Sequence, residues 1–158
     1  MQPSPSLTAL AAAVLHVPER PERVLEIGCG DGDRALFLAR EYPAARVRGL
    51  DPSQQAIREA VGRVGLDPEG RVAFKHGRLR SLPYPDAFFD LVAQAGGALR
   101  PAEIARVLRP GGHLTLVGAW RWLDWRLEKH CFVSVREGDI EGESFHVFRL
   151  DAGEPPPE

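Results

Sequence analysis

The stretch Val24-Leu25-Glu26-Ile27-Gly28-Cys29-Gly30-Asp31-Gly32-Asp33 decides the fold of this chain. It starts with apolar residues around one acid, continues with three alternating glycines and ends where a helical pattern begins. Glycine has no Cβ, so it suits a backbone that turns sharply or lies against a ligand. The first N–H groups of the following helix are unpaired and carry partial positive charge. The pattern therefore predicts a buried strand, a tight turn and a helix start that form a binding cradle.

The spacing of the glycines discriminates between ligands. Dinucleotide-binding turns have the pattern G-x-G-x-x-G, whereas Asp33 stands where the last glycine of that pattern would be. Two acids, Asp31 and Asp33, would repel a neighbouring pyrophosphate. The sequence therefore favours a ligand that is not multiply anionic, although a glycine turn in some other strand–helix unit is still open at this point.

Length and composition exclude several classes of protein. The chain has 158 residues, 44% of them hydrophobic and 27% charged, which predicts one globular domain over residues 1–151. The polar, proline-rich residues 152–158 are expected to form a disordered tail. A net charge of -2 gives no electrostatic reason to bind nucleic acid or an anionic membrane. Two cysteines, one of them inside the glycine turn, and the lack of a signal-peptide pattern predict a cytoplasmic protein.

Strand and helix patterns alternate along most of the chain. Strands are predicted over residues 23–27, 46–50, 71–75, 88–94, 113–119, 130–137 and 144–150. Helices are predicted over residues 6–17, 33–41, 52–64, 101–108 and 120–129. Right-handed crossovers through short loops give an α/β fold with a doubly wound, mostly parallel sheet. The last two strands read as an antiparallel pair.

Ligands of such sheets bind beyond the carboxyl ends of the strands. This rule brings four segments around one crevice, namely Glu26–Gly32, Asp51, Gly77–Arg78 and Gln94–Ala95. Asp51 lies 19 residues beyond Gly32, at the end of the second strand. Its carboxylate is able to accept two hydrogen bonds from ribose hydroxyls. It is equally suited to cap the next helix, so it indicates a nucleoside ligand without identifying it.

Three further segments accompany the glycine turn: Gly49-Leu50-Asp51-Pro52-Ser53, Leu82-Pro83-Tyr84-Pro85-Asp86-Ala87-Phe88-Phe89-Asp90 and Arg106-Val107-Leu108-Arg109-Pro110-Gly111-Gly112-His113-Leu114. The four segments in this order resemble the motifs of class I S-adenosylmethionine-dependent methyltransferases of the small-molecule type, including "LPFxDxxFD" and "RxLRPGG". The last segment resembles a turn that ends a helix and acts as a hinge. The resemblance implies a seven-stranded, Rossmann-like sheet of order 3-2-1-4-5-7-6, S-adenosylmethionine as cofactor and methyl transfer as activity.

The resemblance also implies roles for individual residues. Glu26, Gly28 and Gly30 would line the methionine portion of S-adenosylmethionine, and Asp51 would hold its ribose. The residue after Gly77 would approach the adenine. The predicted cofactor-binding residues are Glu26, Gly28, Cys29, Gly30, Gly32, Asp51, Pro52, Arg78, Leu79 and Gln94.

The sequence departs from the family pattern in two places. The family commonly has an acid where this chain has Arg78, and an arginine cannot accept a hydrogen bond from the adenine amino group. The backbone of Leu79 could still contact the ring, and Arg78 could stack on it. The loop after the fourth strand is short and has no N-P-P-Y motif, so methylation of DNA bases is not expected. No catalytic residue or metal site is predicted, since methyl transfer can depend on positioning alone.

Three functions are open on the sequence. The first is a methyltransferase for an unidentified, small-molecule acceptor. The second is a weakly active or inactive methyltransferase-like module that works with a protein partner or as a homodimer, for which Arg78 and the short acceptor region argue. The third, an NAD-linked oxidoreductase, is disfavoured by Asp33. Trp120, Trp122 and Trp125, together with Arg121 and Arg126, could form an aromatic, basic acceptor surface or a stacking platform. We expect instead that a helix packs the tryptophans on the sheet.

Overall fold

The computed structural model describes residues 5–67 and 69–151, and the predicted tail lies outside these ranges. The strands are β1 (Arg23–Ile27), β2 (Arg46–Asp51), β3 (Val72–His76), β4 (Phe89–Ala95), β5 (Leu108–Val117), β6 (Phe132–Ile140) and β7 (Glu143–Leu150). The helices are α1 (Pro5–Val14), α2 (Asp33–Glu41), α3 (Gln54–Arg63), α4 (Pro101–Val107) and α5 (Leu123–Glu128). In this part of the chain, no helix has the length and apolar character needed to cross a membrane.

The seven strands form one sheet of order β3-β2-β1-β4-β5-β7-β6. Strands β1 to β5 are mutually parallel, and β7 runs antiparallel to both β5 and β6. The doubly wound fold and its strand order, both predicted above, are thereby confirmed. The carboxyl ends of five parallel strands lie at one edge of the sheet, where ligands of such folds bind.

Two apolar clusters cover the two faces of the sheet. Leu25 packs in one cluster with Ile104 of α4 and Leu127 of α5. Val24 packs in the other with Leu38 of α2. Because successive side chains of a strand point to opposite faces, β1 has to be apolar on both sides. Glu26 is the charged exception within it, and it is buried.

Several predicted element ends shift in the structure. Helix α1 ends at Val14 rather than at residue 17. Helix α3 begins at Gln54, because Ser53 caps it with a side chain that accepts the Ala56 N–H at 3.2 Å. Helix α5 begins only at Leu123, because Trp122 adopts a left-handed conformation with φ 58°. The strands β6 and β7 meet in a tight turn with positive φ at Glu141 and Gly142, so the connection is shorter than predicted.

The Arg109-Pro110-Gly111-Gly112 segment was expected to end a helix and act as a hinge, and this expectation is wrong in part. Helix α4 does end before it, but the segment itself lies within β5. The pairing of β4 with β5 moves from Phe89↔Leu108 to Leu91↔His113, so the segment bulges out of the ladder. The strand therefore continues through the bulge instead of starting after a hinge.

Candidate functional site

The first two glycines of the turn after β1 face open space. Gly28 and Gly30 have φ values of 70° and 52°, and a Cβ on either would meet no atom within 4 Å. The N–H groups of Gly28 and Cys29 donate to the Leu50 carbonyl at 2.7 and 3.0 Å, which ties the turn to β2. These two glycines therefore leave a cradle in which a ligand is able to approach the backbone.

The third glycine of the turn has a packing role. Gly32 has a φ of 91°, and a Cβ there would lie 3.1 Å from the Cβ of Ala60 on α3 and 3.0 Å from the ring of Phe74. Its α-carbon thus faces α3 and β3, which lets the start of α2 approach both. The structure thus gives Gly32 a packing role, and its predicted contact with the cofactor stays a prediction.

Glu26 holds a buried carboxylate beside the open glycines. Its Oε1 accepts a hydrogen bond from Arg34 Nε at 2.8 Å, and Arg34 also donates to the Gly28 carbonyl at 2.6 Å. Its Oε2 is buried and has no hydrogen-bond partner among the described residues. Burial raises the pKa of Glu26 to about 7, against the opposing charge of Arg34. A buried acceptor without a donor is costly, so this atom fits a cationic hydrogen-bond donor.

Asp51 links the glycine turn to α3. Its Oδ2 accepts the Gly30 N–H at 2.9 Å and its Oδ1 accepts the Ser53 N–H at 2.8 Å. The helix-capping role that the sequence left open for Asp51 belongs instead to Ser53, whose side chain caps α3. A carboxylate has about four acceptor positions, so two remain after these bonds. Asp51 is half-buried at the tip of β2 and is able to bind hydroxyls as well. Pro52, which follows it, is exposed.

The acids that argued against a pyrophosphate are paired within the protein. Arg63, at the end of α3, binds Asp31 at 2.9 Å and also forms a short ion pair with Asp33. Both acids therefore point towards α3, and their charge is partly neutralised. The sequence carries no local signal for this contact, because Arg63 lies thirty residues or more away along the chain.

The end of β3 reaches the same edge of the sheet. The Gly77 N–H donates to the Asp51 carbonyl at 3.1 Å, and this bond joins the ends of β2 and β3. Arg78 is exposed, and Leu79 is half-buried against the apolar cluster of α4 and α5. Arg78 is therefore exposed just beyond the end of β3, and its contact with the adenine stays a prediction.

Gln94 organises the loop after β4. It pairs with Ile27 in the sheet and is buried. Its Nε2 donates to the carbonyls of Gly96 and Ala98 at 3.0 and 2.9 Å, while its Oε1 has no partner among the described residues. The amide nitrogen is thus used to shape the loop, and the oxygen is the group left for a ligand.

Cys29 is suited to packing rather than to nucleophilic chemistry. It is buried, and burial together with the charges of Glu26 and Asp51 raises the pKa of its thiol to about 12. A thiol with so high a pKa carries almost no thiolate at neutral pH. In the described ranges, no three His, Cys, Asp or Glu side chains are grouped as metal ligands would be.

Arg106 joins two of the quoted motifs and was missed in the sequence. Its guanidinium donates to the carbonyls of Leu82 and Tyr84 and to Asp86 Oδ1, each at 2.8 Å. Glu103, one turn earlier, accepts from the same guanidinium at 2.7 Å. The segment before β4 and the end of α4 therefore depend on each other, which gives a physical reason for finding both motifs in one chain.

The tryptophans after β5 divide between the core and the surface. Trp120 packs against the apolar cluster and donates from Nε1 to the Gly97 carbonyl at 2.9 Å. Trp122 and Trp125 are 71% and 58% exposed. The expectation that all three pack on the sheet is therefore wrong for these two.

The fold and the crevice define a class of protein. A doubly wound sheet of this strand order, with a glycine cradle after β1 and an acid at the end of β2, is that of a class I methyltransferase. The chain belongs to the methyltransferase domain family, whose model matches residues 24–112. The match confirms the prediction of a class I methyltransferase, and S-adenosylmethionine is the cofactor of this family. The narrower branch named by "LPFxDxxFD" and "RxLRPGG" stays a prediction.

Curated relatives cover a range of acceptors. The chain is 37% identical over 105 residues to the fatty-acid O-methyltransferase of Mycolicibacterium smegmatis, which is 62% of this chain and 37% of the relative. It is 38% identical over 114 residues to the demethylmenaquinone methyltransferase of Thermus thermophilus, or 67% of this chain and 51% of the relative. It is 29% identical to the malonyl-[acyl-carrier protein] O-methyltransferase of Methylococcus capsulatus over 91% of this chain and 59% of the relative. The chain thus spans about half the length of these relatives.

Solved structures share the fold. One neighbour comes from the complex between the Haloferax volcanii Trm112 methyltransferase activator and a methyltransferase, with a TM-score of 0.80, 17% identity and coverage of 94% of this chain and 91% of that one. Another is an Aquifex aeolicus SAM-dependent methyltransferase, with a TM-score of 0.74, 17% identity and coverage of 91% and 89%. The [4+2]-cyclase SpnF also matches, with a TM-score of 0.76, 22% identity and coverage of 90% and 80%. At these identities the likeness concerns the fold alone.

Proposed function

We propose that this chain binds S-adenosylmethionine and transfers its methyl group to a small-molecule acceptor. The observation that carries the proposal is the buried, partnerless Oε2 of Glu26 beside two glycines that face open space. Such a pairing of a buried anion with free backbone space fits an α-ammonium group attached to a slender chain. Family membership adds the identity of that ligand.

The residues present fit the different parts of the cofactor. Glu26 Oε2 would accept from the ammonium group, and the cradle at Gly28 and Gly30 would take the aliphatic portion. The spare acceptor positions of Asp51 would bind the ribose hydroxyls. Bound S-adenosylmethionine supplies a methyl group activated by a positively charged sulfonium. The acidic groups of the crevice favour a cation there.

The acceptor is proposed to be a small molecule because the curated relatives include enzymes named for a fatty acid and for demethylmenaquinone. We assign no general base, since holding an acceptor in line with a reactive group already supplies much of the rate enhancement. A weakly active module that needs a partner is less well supported, because the donor side of the crevice has both its buried acid and its open glycines.

Calorimetry with S-adenosylmethionine and its demethylated product tests the proposal. We expect saturable binding of both, and an Asp51→Asn variant is expected to bind roughly tenfold or more weakly, because one acceptor oxygen becomes an amide donor. Asp67→Asn is the matched control, since Asp67 also accepts two backbone N–H groups, from Arg71 and Val72, but in a loop outside the crevice. Absence of both heat and thermal shift with either ligand would overturn the proposal.

A further inference from the structure

A basic pocket lies on the α4–α5 side of the carboxyl edge. Its volume is about 340 Å³, and the side chains that give it character are Arg80, Leu99, Arg100, Glu103, Arg126 and His130. Arg80 follows the end of β3, and Leu99 and Arg100 follow the loop after β4. Because both strands end at the carboxyl edge, these residues place one end of the pocket at the edge that carries the proposed cofactor site.

The charge of this pocket is positive. Among the described residues, three guanidinium groups and one imidazole line it, with Glu103 as the one acid. That acid is already engaged, since Arg106 binds it at 2.7 Å and the Leu82 N–H donates to it at 2.8 Å. These bonds lower the pKa of Glu103 and leave its charge compensated. The chain as a whole carries a net charge of -2, so the basic pocket is a local feature and not a consequence of composition.

An apolar surface adjoins the pocket on the same helix. Among the described residues, Trp122 and Trp125 line an open cavity of about 540 Å³, and both side chains are exposed. The Lys129 ammonium lies 3.6 Å from the centroid of the Trp125 ring and adds a cation to this surface. Arg126, which lines the basic pocket, follows Trp125 directly in α5, and its N–H donates to the Trp122 carbonyl at 2.9 Å. The tryptophan surface and the basic pocket are therefore neighbours.

We propose that the methyl acceptor is an anionic amphiphile, whose carboxylate or phosphate head enters the basic pocket while its apolar body lies on Trp122 and Trp125. The proposal rests on the proposed function and names its substrate class. Guanidinium groups suit carboxylate and phosphate because they present paired donors. Exposed apolar patches often mark binding surfaces, so the two exposed tryptophans fit contact with an apolar ligand.

The tryptophan surface is also connected to the crevice. Trp120, two residues before Trp122, donates to the Gly97 carbonyl at 2.9 Å. Gly97 belongs to the loop that Gln94 shapes at the end of β4. A molecule that lies on Trp122 therefore has a short path along this loop to the place where a methyl group would be presented.

Titration of the purified chain with four probes, each below its micelle concentration, tests the class of acceptor. The probes are decyl phosphate, decanoate, decanol and inorganic phosphate, followed by calorimetry and tryptophan fluorescence. We expect decyl phosphate, decanoate or both to bind roughly tenfold more tightly than decanol and inorganic phosphate, with a blue shift of emission. The better of the two shows which head group the pocket selects. Equal binding of decanol, or no binding of any amphiphile, would overturn the proposal.

Variants locate the head group. Arg80→Gln combined with Arg100→Gln is expected to weaken the better amphiphile roughly tenfold, because two charge-assisted contacts are lost. Arg46→Gln combined with Arg58→Gln is the matched control, since these arginines are also exposed but lie on β2 and α3. An equal loss in both double variants would contradict the assignment. Binding of S-adenosylmethionine is measured in parallel. If the amphiphile binds and S-adenosylmethionine does not, the proposed function is refuted and the pocket stands. If S-adenosylmethionine binds and no amphiphile does, only the pocket is refuted.

Discussion

The two sides of the crevice are built by different means. On the donor side, around β1, β2 and the glycine turn, the ligand-facing groups are fixed by backbone bonds, such as those from Gly30 and Ser53 to Asp51. On the acceptor side, from the loop after β4 to α5, exposed side chains such as Trp122 and Arg100 form the surface. Backbone-fixed sites need particular residues at particular spacings, whereas side-chain surfaces leave the residues free to vary. The donor side could therefore be predicted from the sequence, and the acceptor side much less so.

The largest expected effect is the pH dependence of the free energy of unfolding that the buried Glu26 causes on the donor side. Because burial raises the pKa of Glu26 from 4.5 to about 7, the folded chain holds a proton that the unfolded chain releases. The contribution of this protonated carboxyl group to stability is therefore complete below about pH 4.5 and is lost as the pH rises through 7, by up to about 3 kcal/mol. Denaturant unfolding at pH 5 and pH 7.5 measures this difference.

Substitution isolates that contribution. Glu26→Gln is expected to be less sensitive to pH over this range, whereas Glu41→Gln, at an exposed site on α2, is expected to behave like the unsubstituted chain. Saturating S-adenosylmethionine is expected to reduce the pH dependence as well, because its ammonium group would favour the ionised carboxylate. If the Glu26→Gln variant kept the same pH profile of stability, the ionisation of Glu26 would not be the cause of the pH dependence.

Sequence reasoning succeeded where structure is local. Strand β1 and helix α2 have the predicted bounds, and Glu26, Asp51 and the open glycines lie together as expected. Arg34 and Arg63 were missed because each acts through a contact with a residue distant in sequence or on another element. The bulge at Arg109–Gly112 was missed because its pairing with β4 is likewise a property of the assembled sheet.

The next prediction compares one glycine from each side. A Cβ at Gly30 would meet no protein atom, so Gly30→Ala is expected to cost only about 1 kcal/mol of stability for a left-handed residue. The same Cβ would enter the cofactor cradle, and crowding of about 2 kcal/mol corresponds to roughly 30-fold weaker binding of S-adenosylmethionine. Calorimetry measures that affinity.

Gly97 supplies the acceptor-side counterpart. It has a φ of 79°, and a Cβ there would lie 3.8 Å from Gln94 Nε2, so Gly97→Ala carries the same backbone cost without a clash. Its affinity for S-adenosylmethionine is expected to stay within about twofold, since the residue faces the loop after β4. If the two variants lost affinity equally, the division of the crevice into a backbone-built donor side and a side-chain-built acceptor side would fail.

The smallest expected effect is a change in stability when the backbone strain at Trp122, on the acceptor side, is relieved. Trp122 has φ 58° and ψ 34°, a left-handed conformation that the donor side fills with glycine, as at Gly32. Because Trp122 is 71% exposed, its side chain contributes little packing, and Trp122→Gly is expected to be about 1 kcal/mol more stable than Trp122→Ala in thermal unfolding. Both variants are expected to show a smaller fluorescence shift with the amphiphile that binds better, since only Trp125 remains on this surface. Equal stability of the two variants would mean that the left-handed conformation at Trp122 has no energetic cost. The expected difference would show that a strained residue occupies the surface on which the apolar ligand is proposed to lie.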